Sequence, residues 1–397
     1  MSLNSTPSSQ RIHISFFGLT NAGKSSLVNA ITNQDMSVVS STHGTTTDPV
    51  KKSMELLPLG PVVIVDTPGF NDKGELGEKR VKKTKEILSK TDIAVLVTDA
   101  GRNLTDSEEE ILKIFIKKDI PFIVVKNKAD LLSEGYKEKE NEVFTSATLP
   151  FGIEKLKERL GAIKAKKTSD CSMLSDLISA GNTIVLVIPI DESAPKGRII
   201  LPQQMAIREI LDSSAFCIMT KDDEYSSLLA SLPKVPDLVV CDSQVFKKIA
   251  KETPKDIPLT SFSVLMARKN GFLSPATEGA KKISLLNNGD KILICEGCTH
   301  HRQCEDIGTV KLPKWIREYT NKNLEFEFTS GSSFPDDLSP YSLIVHCGGC
   351  MITPREVTER MNRAKEQNVP FTNYGTLIAH MNGILERSVE IFKNMKN

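Results

Sequence analysis

Gly18-Leu-Thr-Asn-Ala-Gly23-Lys24-Ser25 decides how the N-terminal part of the chain is read. The stretch matches GxxxxGK[ST], and its context fits. Before it, Arg11 to Phe17 alternates Ile12, Ile14 and Phe16 as a strand does; after it, Ser25 to Ile31 has a helical pattern. Glycines at such a turn let backbone N–H groups surround phosphates, and the N-terminus of the following helix favours negative charge. Lys24 supplies a point charge to the β- and γ-phosphates, and the Ser25 hydroxyl is placed to ligate Mg²⁺. Gly18, Asn21, Ala22, Gly23, Lys24, Ser25 and Ser26 are the expected phosphate cradle.

Three further motifs come after it in order. Asp66-Thr-Pro-Gly69 ends the apolar run Pro61 to Val65; Asp66 is placed to hold the Mg²⁺ shell and the Gly69 N–H to sense the γ-phosphate. Asn127-Lys128-Ala129-Asp130 follows the strand Phe122 to Val125. Asp130 can accept from the two adjacent donors of guanine, a pair that adenine lacks, while Asn127 and Lys128 hold the base and the neighbouring loop. Thr145-Ser146-Ala147 fits a backbone contact to the guanine oxygen, through Ser146 and Ala147. Between the first two motifs, Gly44-Thr45-Thr46-Thr47 offers a switch threonine for Mg²⁺, Thr46 first and Thr47 as the alternative. Apolar runs at Pro61 to Val65, Ile93 to Val97 and Phe122 to Val125 alternate with helical stretches. The expected fold is therefore α/β, a doubly wound P-loop sheet over residues 10–165 that binds GTP and GDP.

The rest of the 397-residue chain is long enough for two more small domains. After a linker over 164–182, strand patterns at Thr183 to Ile190, Ala215 to Met219 and Leu238 to Cys241 predict an α/β unit over 180–265. Lys291 to Ile294, Leu343 to Val345 and Val369 to Thr372 predict another over 268–397, both with mainly parallel sheets. No internal repeat stands out. Lys plus Arg is 51 and Asp plus Glu is 50, a balance that argues against a nucleic-acid binder. No apolar run of 18 residues predicts a membrane span, and the polar start has no signal core, so a cytoplasmic, reducing location is expected.

The eight cysteines are then apolar fillers, reactive thiols or metal ligands, and five of them lie between Cys295 and Cys350. Cys298-Thr-His300 and His346-Cys347-Gly-Gly-Cys350 each follow a predicted strand. If those strands are parallel neighbours, the two loops meet in the crevice where α/β sheets place ligands. Thiolates there suit zinc or iron–sulfur clusters. Cys295, Cys298, Cys347 and Cys350 make one tetrahedral zinc set, and Cys298, His300, Cys347 and Cys350 another, although Cys295 at the strand end could instead point into the core. Cys304 reads as a buried apolar residue, and His13, His43 and His380 as structural.

The nucleotide motifs resemble translation-factor-type GTPases of the tRNA-modification and ribosome-assembly branch, with NAGKS in the loop and GTT in the switch. Phe70 departs from Ras-like chemistry, where a water-orienting Gln stands. Asn21 matches the Asn with which that branch coordinates K⁺, which implies slow, K⁺-stimulated GTP hydrolysis with Asn21, Lys24, Thr46 and Gly69 at the reacting phosphate. A GTPase joined to CxH…HCxxC resembles the HydF family of [FeFe]-hydrogenase maturation proteins. The resemblance implies a homodimer through the central domain, and a [4Fe–4S] cluster on Cys298, Cys347 and Cys350. His346 or His300 is the implied fourth ligand, with Glu305 as a nearby alternative. It further implies a scaffold or carrier that receives a di-iron precursor from radical-SAM maturases and delivers it to apo-hydrogenase. The rival readings are an RNA- or ribosome-associated GTPase with a C-terminal zinc module, and a redox-sensing GTPase.

Overall fold

The computed structural model describes residues 7–32, 49–69, 84, 86–132, 138–149, 151–163, 172–190, 199–297, 307–331 and 333–393. The chain forms two compact units, residues 1–167 and 168–397.

The first unit is the expected doubly wound sheet. Its strands are β1 (Ile12–Phe17), β2 (Val50–Leu56), β3 (Gly60–Asp66), β4 (Ile93–Asp99), β5 (Phe122–Asn127) and β6 (Glu142–Phe144), ordered β2-β3-β1-β4-β5-β6. All pairs are parallel except β2–β3. Strand β4 shows why both faces are covered. Ile93, Val95 and Val97 pack with Leu27, Ile31 and Leu160 on one side; Ala94 and Leu96 pack with Leu88, Ile111 and Phe115 on the other. Side chains alternate across a strand, so an unbroken apolar run fills two cores at once. The three motif loops after β1, β3 and β5 leave the same, carboxyl edge of the sheet.

The second unit holds two four-stranded sheets, each wholly parallel. The first contains β7 (Thr183–Val187), β8 (Phe216–Thr220), β9 (Leu238–Cys241) and β10 (Leu259–Ser261); the second contains β11 (Lys291–Glu296), β12 (Glu325–Ser330), β13 (Leu343–His346) and β14 (Phe371–Asn373). Their orders, β10-β9-β7-β8 and β12-β11-β13-β14, are one topology written twice. The strands β2, β6, β10 and β12 have no counterpart among those expected from the sequence.

The sequence carries the duplication as well, so the expectation of no repeat is corrected. Ile257-Pro-Leu-Thr-Ser-Phe-Ser-Val-Leu-Met-Ala-Arg-Lys-Asn-Gly271 aligns with Val369-Pro-Phe-Thr-Asn-Tyr-Gly-Thr-Leu-Ile-Ala-His-Met-Asn-Gly383. Both segments run strand, cap and helix without a loop. Ser261 caps the helix Phe262–Lys269 and Asn373 caps the helix Tyr374–Met381, each by accepting an N–H three residues on. The two modules also exchange their next helices. The helix Leu273–Lys281 of the first module packs on β14, with Thr372 Oγ1 donating to the Ala276 carbonyl at 2.8 Å. The helix Leu385–Glu390 of the second packs on β10, with Thr260 Oγ1 donating to the Ser388 carbonyl at 2.9 Å. Thr260 matches Thr372, and Ala276 matches Ser388, at the same spacing. A Cβ on Gly375 would meet that of Ser263, the equivalent residue, at 2.2 Å, so the two helix starts touch where only a glycine fits.

Candidate functional site

The phosphate loop is shaped by its residues. Asn21 and Gly23 have φ of 65° and 87°, the left-handed region that glycine enters freely and Asn tolerates. A Cβ on Gly23 would lie 2.2 Å from Asn127 Nδ2. Asn127 Nδ2 in turn donates to the Ala22 carbonyl at 3.0 Å, and Thr145 Oγ1 donates to Asn127 Oδ1 at 3.3 Å. One buried amide thus ties the phosphate loop, the end of β5 and the Thr145-Ser146-Ala147 turn together. Lys24 is 7% exposed, and its ammonium donates to the carbonyls of Gly18 at 3.0 Å and Leu19 at 2.9 Å, which holds it inside the loop. Ser26 faces outward on the first turn of the helix Lys24–Thr32.

Ser25 Oγ donates to Asp66 Oδ2 at 2.5 Å. The other carboxylate oxygen, Oδ1, is buried with no hydrogen-bond partner among the described residues. Burial pushes the Asp66 carboxyl above its ordinary value, against the opposing effects of the Ser25 hydroxyl and the Lys24 charge. A buried carboxylate with one orphan oxygen beside a hydroxyl fits a divalent cation, so these two residues suit Mg²⁺. Gly69 abuts the phosphate loop: a Cβ there would lie 2.7 Å from the Thr20 nitrogen.

At the base end, Lys128 has φ of 62° and donates to Asp99 Oδ2 at 2.9 Å. Asp99 stands in none of the sequence motifs; that hydrogen bond, and then the Gly101 N–H, hold its carboxyl below the ordinary range. Asp130 is exposed on the short turn Ala129–Leu131, and the Ala129 N–H donates to the Thr145 carbonyl at 3.0 Å. Ser146 is buried, its Oγ 3.0 Å from Thr148 Oγ1, and Ala147 stays partly accessible beside it. Thr46 and Thr47 lie outside the described residues.

At the second cluster of motifs, β11 and β13 are parallel neighbours, with Cys295 opposite His346. In the order β12-β11-β13-β14 the chain reverses direction of growth between these two strands, which is the topological switch point. The loops carrying Cys298 and Cys347 to Cys350 therefore leave adjacent strand ends. Cys298, His300, His301, Cys304 and Glu305 lie outside the described residues, and no cluster of three metal-ligating side chains occurs among the described ones.

In the described half of the site, backbone donors converge on one sulfur. Cys347 Sγ accepts the backbone N–H of Gly297 at 3.0 Å and of Gly349 at 3.4 Å. Gly349 adopts φ of 68°, which curls the loop back on its own sulfur. Burial raises the Cys347 thiol, and the two N–H donors oppose that shift. N–H donors on a thiolate are what metal–sulfur sites require of their surroundings, so this residue fits a soft metal group. Cys295 points into the core, and burial pushes its thiol up to about 12.

His346 is fully buried, and both ring nitrogens are engaged. Nδ1 is 2.8 Å from the Cys347 carbonyl, so it carries the proton; Nε2 then accepts from Arg360 Nη1 at 3.1 Å. Burial first, and the Arg360 charge next, push the imidazole down to about 3, so it is neutral. Arg360, which no sequence motif flags, also pairs with Glu356 at 2.7 Å.

The sheet, the phosphate loop and the guanine motifs define a P-loop GTPase domain, and residues 13–128 match a family model described as 50S ribosome-binding GTPase. Residues 173–271 match the hydrogen maturase F dimerization domain and residues 274–391 its tetramerization domain. The chain belongs to the hydrogen maturase F family. Three curated relatives match only part of the chain. GTPase Der of Kosmotoga olearia is 34% identical over 174 residues, 39% of each chain. GTPase Der of Wolinella succinogenes is 42% identical over 135 residues, 33% of this chain and 28% of that protein. The tRNA modification GTPase MnmE of Clostridioides difficile is 35% identical over 157 residues, 38% of this chain and 34% of that protein. The chain thus spans well under half the length of these relatives. No helix among the described residues is long and apolar enough to cross a membrane.

Proposed function

We propose that this protein is a cytoplasmic, homodimeric GTPase that carries a [4Fe–4S] cluster, receives a di-iron precursor from radical-SAM maturases and delivers it to apo-[FeFe]-hydrogenase. The observation that supports the reading is the parallel pairing of β11 with β13 at a switch point, so that the chain leaves adjacent strand ends toward the Cys298 motif and toward Cys347–Cys350, on a chain that also has a guanine-nucleotide site. The dimerization- and tetramerization-domain matches support assembly of several copies.

In the nucleotide half, Lys24 neutralises the transferring phosphate, and Ser25, Thr46 and Asp66 hold Mg²⁺. Gly69 reports the γ-phosphate, and Asn21 holds K⁺ in place of an arginine finger. Asp130 reads guanine, with Asn127, Lys128, Ser146 and Ala147 framing the base. In the cluster half, Cys298, Cys347 and Cys350 are the thiolate ligands, and the cluster when bound supplies one iron with an exchangeable ligand. We place His300 at that iron: ligation by His346 would take its Nε2 lone pair from Arg360 and leave a buried N–H unpaired. GTP hydrolysis then acts as a switch on partner association.

The test is separation of the two halves. Cys298→Ser, Cys347→Ser and Cys350→Ser should each abolish the reconstituted iron signal and hydrogenase maturation, with GTP hydrolysis intact; Lys24→Ala should abolish hydrolysis while the cluster still assembles. Stoichiometric zinc without iron after anaerobic reconstitution would overturn the cluster assignment.

A further inference from the structure

We propose that the side-chain amide of Asn270, which belongs to the first module, donates an N–H to a sulfur of the Cys347–Cys350 loop when that loop holds its cluster, and so raises the cluster's reduction midpoint. Asn270 is 3% exposed, and its Nδ2 is buried with no hydrogen-bond partner among the described residues. It lies 3.6 Å from where a Cβ on Gly349 would stand, against the loop whose Gly349 N–H already donates to Cys347 Sγ. Cys350 packs against the apolar group containing Leu265 and Met266, on the helix that Asn270 terminates.

The duplicated module supplies an internal comparison. Asn382 is the matching residue, and the backbones do the same thing: Asn270 N donates to Met266 O at 3.0 Å, and Asn382 N to Ile378 O at 3.1 Å. The side chains differ. Asn382 Nδ2 turns back to the Ile378 carbonyl at 2.9 Å, whereas Asn270 keeps its amide for the loop. A buried donor that forgoes the bond its twin makes is poised for another acceptor. An N–H on cluster sulfur favours the more negatively charged, reduced state. Asn270 is thus a positioning and tuning residue, not a ligand.

The inference rests on the cluster reading above. The full-length protein is reconstituted anaerobically with iron and sulfide, iron is counted, and the midpoint is measured by EPR during dithionite reduction. Asn270→Leu should hold the wild-type iron count with a midpoint shifted to more negative potential. Asn270→Gln, which keeps a donor, should recover part of the shift, and Asn382→Leu should leave the midpoint at the wild-type value. A wild-type midpoint in the loaded Asn270→Leu protein overturns the inference. Should that variant not load, the neutral, smaller Asn270→Ala is decisive in the same way: a more negative midpoint supports the donor role and an unchanged one refutes it. Wild-type protein that takes up no iron overturns the cluster reading itself, and this inference with it.

Discussion

Replacing Arg360 by Met tests how the cysteine loop is held. The guanidinium is in the interior: in its pair with Glu356 the side chains are 4% and 6% exposed. It also donates to the Gly331 carbonyl at 2.5 Å and to His346 Nε2 at 3.1 Å, and it lies 5.4 Å from the centre of the Phe334 ring. Met keeps much of the packing volume and removes the charge, so buried Glu356 loses its ion pair with Arg360. Breaking a buried ion pair in this way costs about 3–5 kcal/mol. For a unit the size of residues 168–397, about 2–4 °C per kcal/mol converts this to a fall in Tm of roughly 6–20 °C. The chain has one tryptophan, Trp315, on the helix Leu312–Thr320 against the core of this unit. Its fluorescence therefore reports unfolding of the second unit without a signal from the GTPase unit. The double variant Arg360→Met, Glu356→Leu removes both charges. The Gly331 carbonyl and His346 Nε2 then lack the Arg360 donor, a loss of roughly 2 kcal/mol, so it should melt above the single variant. A single variant within about 3 °C of wild type, or a double variant no more stable than the single, would refute the reasoning.

Asp66 gives a pH dependence with a definite sign. Its folded-state pKa lies above the ordinary 3.8, so the folded protein binds that proton more tightly than the unfolded chain. Stability is then greatest at low pH for this group and falls as pH rises from 3.8 through the folded value. Asp66→Asn should flatten that part of the profile in calorimetry of nucleotide-free protein, raise the melting temperature of the GTPase unit at neutral pH, and abolish Mg²⁺-dependent hydrolysis; an unchanged profile would contradict the burial argument. GTP hydrolysis should be faster in K⁺ than in Na⁺, and Asn21→Ala should erase the difference by at least about tenfold in rate; equal wild-type rates in the two salts would remove Asn21 from that role.

The nucleotide site was legible because its chemistry is local. Each motif couples a strand end to a few residues whose identities are dictated by phosphate, Mg²⁺ or guanine, and the fold then brings the strand ends together. Asn127 shows the limit: its place in the motif was clear, but its bridge from Ala22 to Thr145 depends on tertiary approach. The cysteine motifs were legible as far as their positions after strands, and the fold adds that those strands, β11 and β13, are parallel neighbours. Arg360 and Asn270 were invisible because nothing in their local sequence separates a buried Arg or Asn from a surface one. The edge strand β2 exposes Lys51, Ser53 and Glu55 in alternation, and β12 alternates half-buried Phe326 and Phe328 with glutamates, so neither resembles the buried runs of the central strands. The repeat was masked because the modules share turns, caps and a few core residues, while their loops differ in length.

The duplication also bears on which histidine would meet the proposed cluster. In both modules the first and third strands are neighbours at the switch point, and their registers place Val187 opposite Cys241 in one and Cys295 opposite His346 in the other. The next residue bonds across in each case: Asp242 N to the Val187 carbonyl at 3.2 Å, and Cys347 N to the Cys295 carbonyl at 2.8 Å. Cys241 therefore occupies the position of His346, and Asp242 that of Cys347. Cys241 is a fully buried member of the apolar core, so the fold treats this as an interior position. A histidine placed there must find partners inside the protein, and the Cys347 carbonyl and Arg360 are those partners. The crevice recurs in both modules, yet only the second has a thiol pair at its rim, so the metal chemistry proposed above would belong to the loop residues and not to the fold. On this argument His346 anchors the backbone from which Cys347 projects. His346→Ala should destabilise the second unit by tryptophan fluorescence, whereas His300→Ala should leave its stability unchanged and alter the EPR signature of the reconstituted cluster. The opposite pattern would return His346 to the iron.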